Sequence, residues 1–82
     1  MARHRVYSAI VKAVQAGALK EPFTPVDCIA KCKNFTEDPI NDKTYPTFLP
    51  LHEENNPVGA SKLFKRVSEG HYKCLRPFKY GL

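Results

Sequence analysis

No run of apolar residues in this 82-residue chain approaches the roughly 18–20 needed to cross a bilayer, which excludes a membrane-spanning helix. There is no CxxC pair, and three cysteines (Cys28, Cys32, Cys74) make an odd number. That pattern argues against a four-ligand metal site and against a secreted disulfide framework, and for reduced thiols. Repeats and low-complexity tracts are also missing. The N-terminus is basic (Arg3, His4, Arg5), but Lys12 interrupts the apolar residues that follow and no small-residue cleavage site is present. No signal peptide is expected, and a cytoplasmic location is. The three histidines, His4, His52 and His71, fall on three different stretches with no nucleophile motif around any of them. Nucleophilic catalysis needs a Ser or Cys beside a His and an orienting carboxylate, so an enzyme is not expected, and no cofactor is called for.

What is present points to one small folded domain. Apolar residues make up 43% of the chain, 11% of it aromatic, which is too apolar for a disordered segment. A chain of this size buries roughly 60–65% of its unfolded surface, so its core is small. The net charge of +5 is unevenly spread: +4 over residues 1–20, −4 over 21–61 and +5 over 62–82. Basic ends around an acidic middle suit contact with phosphate or an acidic partner through the ends.

The first element is a helix over about residues 4–18. Val6, Ile10, Ala13 and Val14 recur at three- and four-residue steps, with Tyr7 and Val11 widening the stripe and Gly17 placed for a left-handed C-terminus. After Lys20-Glu21-Pro22, a second helix is expected over about 25–33. Thr24 is its cap, Pro25 its first residue, Asp27 sits at the positive end of its dipole, and Phe23 staples onto Cys28. Val26, Ile29 and Ala30 would face inward, with Cys28 in the core and Cys32 a partly exposed thiol. Phe35 and Ile40 anchor the polar connection that follows. A third helix lies within about 44–55, with Thr44 as cap and Tyr45, Phe48, Leu49 and His52 at helical spacing. Pro46 is tolerable in its first turn, but Pro50 should bend or break it.

The last element is a hairpin over about 63–75. Leu63–Val67 and His71–Leu75 alternate apolar and polar side chains around Ser68-Glu69-Gly70, where Gly70 can take a positive φ. Leu63, Val67, Tyr72 and Cys74 form the apolar face; Lys65, Arg66, His71 and Lys73 occupy the other face and the tip. The segment 76–82 is either folded back onto the core or a docking strip for another protein. The fold class is therefore α+β, mainly α: a winged helix-turn-helix of three helices and a two-stranded wing in a single domain, 1–82. In that architecture the third helix can enter the major groove while the wing touches the backbone or minor groove.

The residues also resemble a specific group. Val6-Tyr7-x-Ala9-Ile10-Val11-Lys12-Ala13-Val14, Leu19-Lys20-Glu21-Pro22-Phe23, Thr44-Tyr45-x-x-Phe48-Leu49-x-x-His52, Asn56-Pro57 and the ending Arg76-Pro77-Phe78-Lys79-Tyr80-Gly81-Leu82 look like a family of small, largely uncharacterised prokaryotic winged-helix proteins. More distantly the chain is similar to the HARE-type winged helix-turn-helix module found fused to restriction endonucleases and chromatin-associated proteins. The resemblance implies a DNA-binding or DNA-associated module. Lys43, Thr44 and Thr47 on the third helix and Lys62, Lys65, Arg66, His71 and Lys73 on the wing are its candidate contacts to duplex DNA, with Arg76 and Lys79 completing the basic set. Pro46, Pro50, Glu53 and Glu54 depart from what a groove-reading helix needs. The alternative is a protein-interaction domain of the same shape, with wing lysines that only protect an edge strand. A homodimer through the first or third helix is a further arrangement open to this architecture.

Overall fold

The first helix, α1 (Arg5–Gln15), buries Tyr7, Ala9, Ile10, Val11 and Ala13, with Val6 and Val14 at the margin of the core. It stops where the sequence provides a stop. Gly17 has φ 78°, its N–H donates to the Val14 carbonyl (3.1 Å), and the Ala18 N–H reaches back to Ala13 (3.0 Å). This is a Schellman closure, and it ends the helix short of residue 18. These details come from a computed structural model, which describes residues 5–36, 40–57 and 62–78.

The second helix, α2 (Pro25–Lys31), starts on a complete capping box. Thr24 Oγ1 accepts from the Asp27 N–H at 3.1 Å, and Asp27 Oδ2 accepts from the Thr24 N–H at 3.0 Å. The inward face differs from the expected one. Cys28 and Cys32 are fully buried and Ile29 is half-buried, whereas Val26 is 71% exposed and Ala30 is also outside. At about 100° per residue, Val26 and Ala30 both lie about 200° from Cys28. Once Phe23 and Cys28 are buried at the start of the helix, the other two must face water. Cys32 is thus a core residue and not a partly exposed one. A 3₁₀ turn, Lys33–Phe35, follows, with Phe35 and Ile40 packed against the core.

The third helix, α3 (Thr44–Leu51), is shorter than the pattern indicates and is capped differently. Lys43, not Thr44, is the N-cap, and no side chain caps the helix itself. The lead-in is instead fixed by Asn41, whose Oδ1 accepts from the Lys43 N–H (2.9 Å) and whose carbonyl accepts from the Thr44 N–H (2.9 Å). Pro46 falls in the first turn, where its missing N–H costs nothing. Pro50 lies inside the helix, which ends one residue later at Leu51. Tyr45 and Leu49 are buried; His52, at the C-cap, lies against Phe48 with ring centroids 4.4 Å apart and the rings tilted by 42°.

Three helices are followed by a two-stranded antiparallel hairpin, β1 (Phe64–Ser68) and β2 (His71–Cys74), the element order of a winged helix-turn-helix. The Cα register pairs Phe64 with Cys74, Lys65 with Lys73, Arg66 with Tyr72 and Ser68 with His71, around a Glu69-Gly70 turn in which Gly70 has φ 74°. Phe64 sets the parity of β1. It is fully buried and meets Tyr7, Phe23 and Phe48 edge-on, at centroid distances of 5.9, 6.2 and 5.8 Å. Leu63, just before the strand, is buried as well. Because strand side chains alternate, burying Phe64 turns Lys65 outward, and Val67 is 50% exposed rather than on the apolar face. A bulge between Arg66 and Ser68 accommodates Val67 as an extra residue. Tyr72 and Cys74 do face the core.

Both outer edges of the hairpin are occupied. Phe23 exchanges two hydrogen bonds with Tyr72, each 2.8 Å, forming a bridge on the β2 side. On the β1 side, the His52 carbonyl accepts from the N–H groups of Leu63 (2.9 Å) and Phe64 (3.1 Å), and the Glu54 N–H donates to the Phe64 carbonyl (2.8 Å). The α1–α2 connection and the exit of α3 are thereby stitched to the wing.

Candidate nucleic-acid interface

The hairpin brings Lys65 and Lys73 directly opposite each other on its outer face, both exposed. Directly opposed residues have Cβ atoms about 5 Å apart, and like charges so placed are destabilising. Among the described residues neither lysine makes an ion pair. The exposed Val67 lies next along the strand, and Glu69 is the only acid of the turn. Arg66 is exposed but pairs with Tyr72, so it stands across the strand from this lysine pair and not beside it. His71 is half-buried; a carbonyl can only accept, so its Nδ1 carries the proton it donates to the Glu69 carbonyl at 2.9 Å, bracing the turn.

Two of the basic residues are engaged inside the fold. The Lys62 ammonium donates to the Asn56 carbonyl and ties down the approach to the wing. The Arg76 guanidinium grips Glu21, with Nη2 2.7 Å from Oε1 and Nη1 3.2 Å from Oε2, while Nη1 also reaches the Cys74 carbonyl at 2.9 Å. Its face stacks over Phe78, 4.3 Å from the ring centroid. Glu21 in turn accepts from the Cys74 N–H at 2.7 Å. Arg76 is therefore a structural clamp across 55 residues of chain, and Phe78 packs against the core. Lys79 and the rest of the tail to Leu82, together with Arg3 and His4, lie outside the described residues.

Lys43, Thr44 and Thr47 gather at the N-terminal end of α3, whereas the base of the wing is bound at its C-terminal end through His52. Eight residues at 1.5 Å rise separate the two groups by about 12 Å of helix. Lys43 is exposed, Thr44 half-buried, and the Thr47 hydroxyl donates back to the Lys43 carbonyl (3.4 Å). The positive end of the α3 dipole adds to the Lys43 charge.

The cysteines form a separate buried group. The Cys28 thiol is pushed up by the hydrogen bond it donates to Cys32 and by burial, and the Cys32 thiol is lowered by the same bond. Burial, then the nearby Glu21 carboxylate, pushes Cys74 up to about 12. Burial also raises the Tyr45 phenol. Among the described residues no group of three or more His, Cys, Asp or Glu is placed to hold a metal ion, and no helix is long and apolar enough to cross a membrane.

Sequence reasoning missed Glu21 as the partner of Arg76, since nothing local marks a pair so far apart in the chain. The opposition of Lys65 and Lys73 is not marked locally either: counted outward from the Glu69-Gly70 turn, Lys73 would face Arg66, and the extra residue at Val67 shifts Lys65 into that place. Comparison with protein-family models, curated proteins and solved structures finds no match, so a functional reading has to come from the residues and their arrangement.

Proposed function

We propose that the protein binds duplex DNA through its phosphate backbone, with the hairpin wing as the main contact. The observation that carries this reading is the Lys65–Lys73 pair: two opposed cations on an exposed strand face, without an acid partner among the described residues. Such a pair costs stability on its own and is relieved by an anion set between or beside the two ammonium groups. Arg66 near the tip and Lys43 at the positive end of α3 add charge of the same sign.

A gel-shift assay at low salt tests the proposal with Lys65→Glu combined with Arg66→Glu. The glutamate at 65 faces Lys73, an attractive cross-strand pair, so the fold should survive, which circular dichroism checks. Wild-type protein should shift a duplex and the variant should lose at least tenfold in affinity. Undiminished binding by the variant, or none by the wild type, sinks the idea. A protein-interaction domain is the second reading, favoured by the exposed Pro46, Pro50 and Leu51 on α3. Failure of the wild type to bind DNA at low salt would favour it over the first.

A further inference from the structure

Reading bases in a groove takes side chains that offer paired hydrogen bonds: Arg or Lys to guanine, Asn or Gln to adenine, Asp or Glu to cytosine. The solvent face of α3 and its N-cap consists of Lys43, Pro46, Thr47, Pro50 and Leu51. Three of these five have no polar side-chain atom. Thr47 has already turned its hydroxyl proton back onto the Lys43 carbonyl. Asn41, in the lead-in, has its amide oxygen pinned by the Lys43 N–H, which holds the group against the backbone. Lys43 is left, and a single ammonium is a point charge without the planar fork that makes Arg selective.

The helix is also poorly built to lie along a groove. It is eight residues long, about 12 Å, and closes just after Pro50. Glu53 and Glu54 follow directly, and their carboxylates repel phosphates on that side. On the wing and α3, the exposed cations without an ion pair among the described residues are Lys65, Arg66, Lys73 and Lys43.

Resting on the wing–backbone reading, we infer that this chain grips duplex DNA by its phosphates alone and does not discriminate base sequence. Lys65 and Lys73 do the holding, while Arg66, across the strand from them, and Lys43 contribute charge without reading. With three to four phosphates neutralised, the logarithm of the binding constant falls with the logarithm of salt concentration at a slope of about −3. Between 50 and 200 mM salt that is a loss of roughly 60-fold.

The test uses the full chain in fluorescence anisotropy with AT-rich, GC-rich and mixed 20-base-pair duplexes, plus a binding selection from a random duplex pool. The expected result is affinities within about threefold of one another, a salt slope near −3 for each, and no enriched motif. A tenfold preference for one duplex, or a motif emerging from the pool, overturns this inference while leaving the wing as the backbone contact. No binding by the wild type to any duplex overturns both, and the two failures are therefore distinguishable.

Discussion

Exchanging the roles of Phe64 and Val67 is the sharpest test of how the wing is seated. Phe64 is fully buried among three aromatic rings, while Val67, on the bulge, is half exposed. A buried Phe→Ala change costs about 3–5 kcal/mol, and a domain of 82 residues has only about 4–12 kcal/mol in all. Phe64→Leu is the more measurable change. It keeps most of the volume but loses three edge-to-face contacts, each worth about 0.5–1.5 kcal/mol, so a net loss of about 2 kcal/mol is expected. Val67→Thr keeps a β-branched side chain and adds a hydroxyl to a surface position, with an effect within about 0.5 kcal/mol. Urea unfolding followed by circular dichroism reads both. With a slope of about 1 kcal/mol per molar urea, Phe64→Leu should lower the midpoint by about 2 M and Val67→Thr by no more than about 0.5 M. If Val67→Thr proved the costly change and Phe64→Leu the mild one, β1 would be seated with the opposite face inward and the placement of Lys65 beside Lys73 would fail with it.

Thr24→Ala removes one half of the capping box of α2 and should cost about 1 kcal/mol in the same urea assay, with Thr24→Ser restoring most of it. A double-mutant cycle on Glu21→Gln and Arg76→Met should give a coupling of about 1 kcal/mol, limited by the 50% exposure of the Arg76 side chain and reduced further in 1 M salt. Zero coupling would remove Arg76 as a clamp. At alkaline pH the folded chain holds the Cys74 proton up to about 12, against an ordinary value of 9.0, so between those values the unfolded state binds fewer protons. Stability is thus fully present below pH 9 and falls as pH rises towards 12, by about 4 kcal/mol for this group at 1.36 kcal/mol per unit. Cys74→Ala should make that fall shallower, the raised Cys28 thiol and Tyr45 phenol supplying what remains; an unchanged slope in the variant would assign it to those two alone.

The parts of the fold that are legible in the sequence are those whose causes are local. Thr24, Pro25 and Asp27 fix the start of α2, Gly17 the end of α1 and Gly70 the turn of the hairpin, each through backbone chemistry spanning a few residues. Faces are harder. In α2, seven residues give too few turns for periodicity to choose between Cys28 with Cys32 and Val26 with Ala30. In β1, Leu63, Phe64 and Val67 support either parity, and the decision comes from Tyr7, Phe23 and Phe48, all distant in the chain. The candidate site divides the same way. The basic residues of the wing are legible as a set, but the opposition of Lys65 and Lys73 depends on the bulge at Val67, and the commitments of Lys62 to Asn56 and Arg76 to Glu21 depend on folded neighbours.

The stitching of Phe23 and His52 to the two edges of the wing also governs the order in which the molecule can be completed as it is made. Phe64, Tyr72 and Cys74 come from the last quarter of the chain, yet they fill the space between α1, the α1–α2 connection and the exit of α3. A nascent chain that has exposed only its helices still lacks the ring on which Tyr7, Phe23 and Phe48 converge. Helices without the hairpin are therefore an unfinished core, which closes only once residues 64–74 have been made.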